Sequence, residues 1–253
     1  MKKFITLLVF MSLLLCVSAP VQAYQYSESY ASVSGLSITS DSRFFSVYYG
    51  FYSSSYALTT NSEGEFDADA FFSASLNSWA DAEITSASAS SGTWRGAQES
   101  QAQASAGGAF GESSYAMAGT YAGAYGIYLT QAATLTFSID YYLSADIYGD
   151  GPGYAEAGAG ALLGLYFSGF NDSQSEWLEL AGSFGSDEQS GTLMITAELL
   201  PYTVYKLFSG TAVYALASSP APVPEPATML LLGIGMIGIA GVSRRKKFTR
   251  NPK

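Results

Sequence analysis

Residues 133–141 read ATLTFSIDY, and this stretch decides the fold class. Apolar and polar side chains alternate throughout it, and a period of two places the apolar set on one face of an extended strand. The same alternation occurs in residues 74–85 and again in residues 193–199. These three stretches therefore predict β-strands that are buried on one face only.

The rest of the body, residues 24–217, is also typical of β-structure. Residues 202–207 and 211–217 are two β-rich runs, and the dipeptide Ser209-Gly210 between them predicts a hairpin turn. Residues 86–126 are rich in Ala, Ser and Gly, which predicts thin strands or partial disorder. No helical pattern alternates with these strands. We therefore predict an all-β fold, an antiparallel β-sandwich or its jelly-roll form.

The composition excludes several kinds of active site. The chain of 253 residues has no histidine and one cysteine, so it has no histidine zinc site, no Ser-His-Asp triad and no internal disulfide. It also lacks a G-x-S-x-G motif. We therefore predict a protein that is not an enzyme and has no catalytic residues.

The N-terminus has the three parts of a secretory signal peptide. Two lysines precede an apolar run at residues 4–19, and small residues lead to Ala23. We predict a signal peptide at residues 1–23, which signal peptidase removes. Because Cys16 lies in this segment, the mature protein has neither cysteine nor histidine.

The formal charge of −10 is the sum of an acidic body and two basic ends. Residues 24–217 carry 20 acidic and three basic residues, which give a net charge of −17. Such a body repels nucleic acid and anionic lipid, so we predict no nucleic-acid partner.

The C-terminus has three segments in a fixed order. Residues 218–226 are a proline-rich linker, whose alternate prolines hold the backbone extended. The apolar residues 227–243 predict a single transmembrane helix, although a short one. The basic residues 244–253 then predict a cytoplasmic tail by the positive-inside rule.

This order of segments resembles the PEP-CTERM sorting signal, with a proline-glutamate-proline triplet directly before a glycine-rich apolar helix and a basic cluster after it. The triplet is Pro224, Glu225 and Pro226, and the basic stop is Arg244, Arg245, Lys246 and Lys247. The resemblance implies an exported protein of a Gram-negative bacterium, which an exosortase recognises and processes near the triplet. A plain C-terminal membrane anchor is the alternative that composition alone allows.

The resemblance also implies a place and a task. The place is the cell envelope, the cell surface or the extracellular matrix. The task is that of a non-enzymatic surface or matrix protein, associated with exopolysaccharide or biofilm. The alternative is a lectin-like, calcium-dependent module that binds glycans, with Trp79, Trp94 and Trp177 as a platform for sugar rings. A secreted hydrolase that uses a carboxylate pair is a third hypothesis.

Four carboxylates stand at every second position in residues 63–69, and on a strand they would share one face and repel one another. A solvated loop is one explanation, and bound Ca²⁺, which takes carboxylate oxygens, is the other. No other cofactor is predicted. The candidate metal ligands are Glu63, Glu65, Asp67 and Asp69. A second acidic group, Asp146, Asp150 and Glu156, surrounds the glycine-rich turn at residues 149–153.

Overall fold

The computed structural model describes residues 24–41, 46–73, 77–94, 99–108, 111–149, 153–167 and 170–219. All of them belong to one compact unit of the chain, Gln22–Pro220. Every strand in these ranges pairs antiparallel with its neighbours, which confirms the all-β prediction. The described ranges hold no helix long and apolar enough to span a bilayer. The predicted signal peptide, transmembrane helix and basic tail lie outside the described residues.

Twelve strands follow one another along the described chain. They are β1 (Gln25–Ser40), β2 (Ser46–Asn61), β3 (Phe66–Ser73), β4 (Ser78–Ile84), β5 (Ala87–Trp94), β6 (Glu99–Gly108), β7 (Ser113–Tyr128), β8 (Ala133–Gly149), β9 (Tyr154–Phe167), β10 (Phe170–Gly182), β11 (Gly185–Leu199) and β12 (Val204–Ser218).

The strands form two six-stranded sheets that pack face to face as a sandwich. Sheet 1 has the order β11-β8-β1-β6-β5-β4, and sheet 2 has the order β10-β9-β12-β7-β2-β3. At one side of the sandwich β11 contacts β10, and at the other side β4 contacts β3. A jelly roll is an eight-stranded arrangement, whereas twelve strands are described here.

The large apolar side chains of the core lie toward one side of the sandwich. In β8 the residues of the alternating stretch, such as Leu135, Phe137 and Ile139, are fully buried, as their spacing predicts. They pack in one cluster with β11 residues such as Ile195 and with Leu163 of β9. Burial of each such side chain contributes about 1.5–3 kcal/mol relative to exposure.

The other side of the core is built from small side chains. The Ala/Ser/Gly-rich segment forms β5, β6 and most of β7, and its buried positions hold small residues, most often alanines such as Ala89, Ala104 and Ala118. Partial disorder is therefore not the state of the described part of this segment. Because these side chains are short, serine hydroxyls reach across the core. Ser29 Oγ, for example, donates to the Tyr214 carbonyl at 2.7 Å.

The predicted hairpin at Ser209-Gly210 is wrong. The strand β12 runs through both residues without interruption and pairs with β7 and β9 on its two sides. Gly210 is buried, and a Cβ at this position would lie 2.5 Å from the Thr120 carbonyl oxygen. Glycine therefore permits a close approach of two backbones here and does not mark a turn.

The glycine-rich residues 149–153, predicted as a turn, come between β8 of sheet 1 and β9 of sheet 2 in the chain, and of these residues the structure describes Gly149 and Gly153. A Cβ at Gly149 or at Gly153 would overlap the fully buried side chain of Gln25. These two glycines therefore make room for a large polar side chain at the start of β1.

Candidate functional site

The acidic residues 63–69 lie beside the edge where β3 contacts β4. Glu63 and Glu65 belong to the turn after β2, and Asp67 and Asp69 belong to β3. Asn61 holds the turn, because its Oδ1 accepts the N–H groups of Glu63 at 3.1 Å and Glu65 at 3.0 Å. Its Nδ2 also donates to Glu65 Oε2 at 2.8 Å.

Three of these carboxylates accept hydrogen bonds from β4, the outermost strand of sheet 1, and from the turn after it. An edge strand presents unpaired N–H groups, which are strong donors that need acceptors. Side chains of the β3 segment accept from β4 and the turn after it, in antiparallel order, and we name this set the carboxylate ladder. Its three hydrogen bonds are Asp81 N–H to Asp69 Oδ2 at 3.3 Å, Glu83 N–H to Asp67 Oδ2 at 3.0 Å, and the Thr85 hydroxyl to Glu65 Oε1 at 3.1 Å.

The carboxylate ladder relieves the repulsion that the spacing of the acids creates. Each of its carboxylates faces a hydrogen-bond donor, and hydrogen bonds to a charged acceptor are stronger than neutral ones. Asp67 and Asp69 are therefore not in the solvated loop that was one explanation of the pattern. An open groove beside the ladder is lined by Glu65, Asp67 and Glu83, among others. No group of three or more acidic, histidine or cysteine side chains that could hold a metal ion occurs in the described part of the chain.

The opposite edge, between β10 and β11, has a similar contact. Gln174 Oε1 accepts the Met194 N–H at 2.8 Å, and Gln189 Nε2 donates to Glu176 Oε2 at 3.2 Å. At each edge of the sandwich, side chains of the sheet 2 edge strand thus accept backbone N–H groups of the sheet 1 edge strand.

The tryptophans do not form one platform. Trp79 lies on β4 of sheet 1, and Trp177 lies on β10 of sheet 2, at the opposite edge of the sandwich. Trp79 is 53 % exposed and Trp177 is 48 % exposed. The side chain of Trp94 lies outside the described part. The second acidic group is divided as well, because Asp146 is on sheet 1 and Glu156 on sheet 2, while Asp150 is not among the described residues.

The outer faces of the two sheets differ in charge. Sheet 1 presents eight carboxylates outward, whereas the outward charged side chains of sheet 2, among the described residues, are Glu156, Glu179 and Lys206. Lys206 is the one basic residue in the described ranges. The carboxylates of sheet 1 are Glu28, Asp81, Glu83, Glu99, Asp140, Asp146, Glu188 and Glu198.

Seven tyrosines on the described part of these faces have raised pKa values, and the shifts are largest for Tyr26 and Tyr214. Desolvation raises the pKa of Tyr26 to about 12, and the neighbouring Glu28 carboxylate adds to the effect. The pKa of Tyr214 is raised further, first by desolvation and then by the hydrogen bond from its hydroxyl to Glu156 Oε1 at 2.6 Å. Tyr154 donates to the other Glu156 oxygen at 3.0 Å, so this carboxylate holds two phenols in place.

Beyond the last strand, residues 222–246 match the family model described as PEP-CTERM protein-sorting motif. The match includes Pro224, Glu225 and Pro226 and extends to Lys246 in the basic cluster. The chain carries a PEP-CTERM sorting signal. This motif indicates an exported protein that is sorted to the cell envelope and processed by an exosortase. No curated protein matches the chain significantly.

The PEP-CTERM signal lies outside the described residues, so the roles assigned to its triplet and basic stop remain predictions.

Sequence reasoning missed several residues of the body. Asn61 and Gln174 anchor the two edges, but their partners become apparent only when the sheets are assembled. The aromatic residues that face glycines across sheet 2 were also missed, although glycines at alternate positions of β9 gave a signal.

Proposed function

We propose that this PEP-CTERM protein is a non-enzymatic component of the surface or extracellular matrix of a Gram-negative bacterium, associated with exopolysaccharide or biofilm. The observation that carries the proposal is the position of the sorting motif. The strand β12 ends at Ser218, and the matched motif begins at residue 222. The sandwich and the motif follow one another closely in the same chain, so sorting of the tail would carry the sandwich with it to the envelope.

The chemistry of the body supports a task other than catalysis. The mature chain offers neither imidazole nor thiol as a general base or nucleophile. Its most conspicuous row of carboxylates accepts backbone N–H groups at an edge of the sandwich. A structural use of these acids agrees with a protein that works as a displayed surface.

Replacing Pro224, Glu225 and Pro226 together by alanine tests the sorting step in the producing cells. We expect the variant to keep its tail and to remain in the membrane fraction, whereas the wild type is processed. Pro220→Ala is the matched control, because Pro220 lies in the same linker but outside the matched motif. Normal processing and surface display of the triple variant would contradict the proposal.

The alternative is a lectin-like module that binds glycan with the help of Ca²⁺. The exposed rings of Trp79 and Trp177, which can stack on sugar rings, favour it, and the groove lined by Glu65, Asp67 and Glu83 is where its calcium is tested, although these carboxylates do not group as a metal site. Calorimetric titration of the processed protein with CaCl₂ tests this alternative. Binding that Asp67→Ala abolishes would support it, and the absence of heat at millimolar calcium would exclude it.

A further inference from the structure

Aromatic rings cover glycines on the outer face of sheet 2. At four places in the described part of sheet 2 an aromatic side chain lies over the glycine of a neighbouring strand, where a Cβ would overlap or crowd the ring. Each ring therefore lies flat on the sheet and presents its face outward. The four pairs are Tyr56 with Gly119, Trp177 with Gly160, Tyr214 with Gly158 and Phe208 with Gly164.

These rings all lie on the outer face of sheet 2, which we name the aromatic face. The rings of Trp177 and Tyr214 are neighbours with nearly parallel planes, their centroids 6.0 Å apart and their planes inclined by 21°. The rings of Phe208 and Tyr121 are arranged similarly, at 5.3 Å and 25°. Because β10, β9, β12, β7 and β2 are neighbours in sheet 2, the rings extend across most of its width.

The aromatic face is nearly uncharged. Two carboxylates and one lysine lie on it in the described structure, and one of the carboxylates, Glu156, accepts the hydroxyls of Tyr154 and Tyr214. The outer face of sheet 1, in contrast, presents eight carboxylates. The charge distribution therefore favours an uncharged occupant for sheet 2.

The shape of the aromatic face selects among uncharged occupants. Its rings lie flat over glycines, whereas the anchor residues of a protein partner insert into deep pockets. A second copy would bring two bodies of −17 together, and the same charge repels nucleic acid. The negative face of an aromatic ring attracts the C–H groups on the flat side of a sugar ring.

The geometry points to the aromatic face as a binding platform for a neutral polysaccharide, whose sugar rings stack on Tyr56, Trp177, Tyr214 and Phe208. This inference rests on the proposed function and names the polymer class that the displayed sandwich contacts. It requires no metal ion, which distinguishes it from the calcium-dependent alternative.

Trp79 provides a matched control for Trp177. Each tryptophan is about half exposed on an edge strand and lies over a glycine of the next strand, Gly92 or Gly160. Trp79, however, lies on the acidic outer face of sheet 1, where its Nε1 donates to Asp81. Loss of a tryptophan should therefore disturb the fold similarly in both variants, while only Trp177→Ala removes part of the platform.

The test is co-sedimentation of the processed protein, purified from its producing cells, with three insoluble neutral polymers: cellulose, a β-1,3-glucan and a mannan. We expect retention on at least one of them in EDTA, weakened about tenfold by Trp177→Ala and unchanged by Trp79→Ala. Soluble alginate, an anionic polymer, should not compete for binding.

A second pair of variants distinguishes loss of binding from a folding defect. Gly160→Ala displaces the Trp177 ring without removing it, and Gly92→Ala does the same to Trp79. We expect only Gly160→Ala to weaken retention. Failure to bind any of the three polymers, or equal losses in the two members of either pair, would overturn the inference. A correctly sorted protein that binds none of them would leave the proposed function standing and the platform excluded.

Discussion

Serine hydroxyls at the thin side of the core join the two sheets. Ser27 and Ser29 of β1 donate to the carbonyls of Leu216 and Tyr214 in β12, at 2.8 and 2.7 Å. Ser91 of β5 donates to the Tyr56 carbonyl of β2 at 2.9 Å. These carbonyls lie in the facing sheet, so the sheets approach closely wherever both faces are built from small side chains.

Ser29 provides the first prediction at this scale. Ser29→Ala loses one buried hydrogen bond and should reduce the free energy of unfolding by about 1 kcal/mol. Ser29→Val should cost more, about 1–3 kcal/mol, because two further methyl groups must fit where the sheets are close. Urea denaturation measures both variants. A valine variant as stable as the alanine variant would contradict the close packing.

Tyr26 provides a second prediction. Its pKa is raised from 10.0 to about 12 because the phenolate is desolvated and lies beside Glu28. The fold thus favours the neutral phenol. This stabilisation is complete below pH 10 and is lost as the pH rises toward 12. The difference in absorbance at 295 nm between the wild type and Tyr26→Phe should titrate with a midpoint near 12. A midpoint near the ordinary value of 10.0 would show that Tyr26 is solvated.

At the scale of elements, both edges of the sandwich are protected. A free edge strand is a template for pairing with another chain. The carboxylate ladder occupies the N–H groups of Asp81 and Glu83 in β4, and Gln174 occupies the N–H of Met194 in β11. The acidic side chains also add charge to the β3–β4 edge, which opposes association further.

The double variant Asp67→Ala, Asp69→Ala removes two bonds of the carboxylate ladder. We expect it to lower the free energy of unfolding by about 1–2 kcal/mol and to increase self-association, as measured by denaturation and light scattering. Glu63→Ala is the matched control, since Glu63 is an exposed acid of the adjoining turn. Equal effects in the two proteins would contradict a specific role of the ladder.

The uninterrupted strand β12 gives a further prediction. Gly210→Ala would place a methyl group 2.5 Å from the Thr120 carbonyl oxygen, and the backbone there cannot yield. We expect a loss of about 2–3 kcal/mol. Gly185→Ala meets only the flexible end of Leu180 at 3.2 Å and should be milder. If Gly210 were in a turn, the two variants would behave alike in thermal unfolding.

A strand could be predicted from the sequence where its pattern of residues has only one simple structural explanation. Strict alternation predicted β8 and the β11 segment, because a half-buried strand is its simplest explanation. The turn predicted at Gly210 was wrong because glycine occurs both in turns and where two backbones approach closely. The carboxylate ladder was not predictable, since Asp67 meets Glu83 only after the chain has changed sheets. The aromatic face likewise depends on the register between strands distant in sequence.

At the scale of the whole molecule, the sandwich presents two unlike surfaces on one exported body. One outer face is acidic, and the other is aromatic and nearly uncharged. Removal of the basic ends would leave a body of −17, which stays soluble and repels anionic polymers and its own copies. Such a body can hold a neutral polymer on one side and face water on the other.

The most direct measurement is the mass of the intact protein, isolated separately from the cell envelope and from the medium. Removal of the signal peptide predicts an N-terminus at Tyr24, and processing at the PEP-CTERM signal predicts a C-terminus between Pro222 and Ala227. An envelope protein that still ends at Lys253 would contradict the account and would indicate a plain membrane anchor.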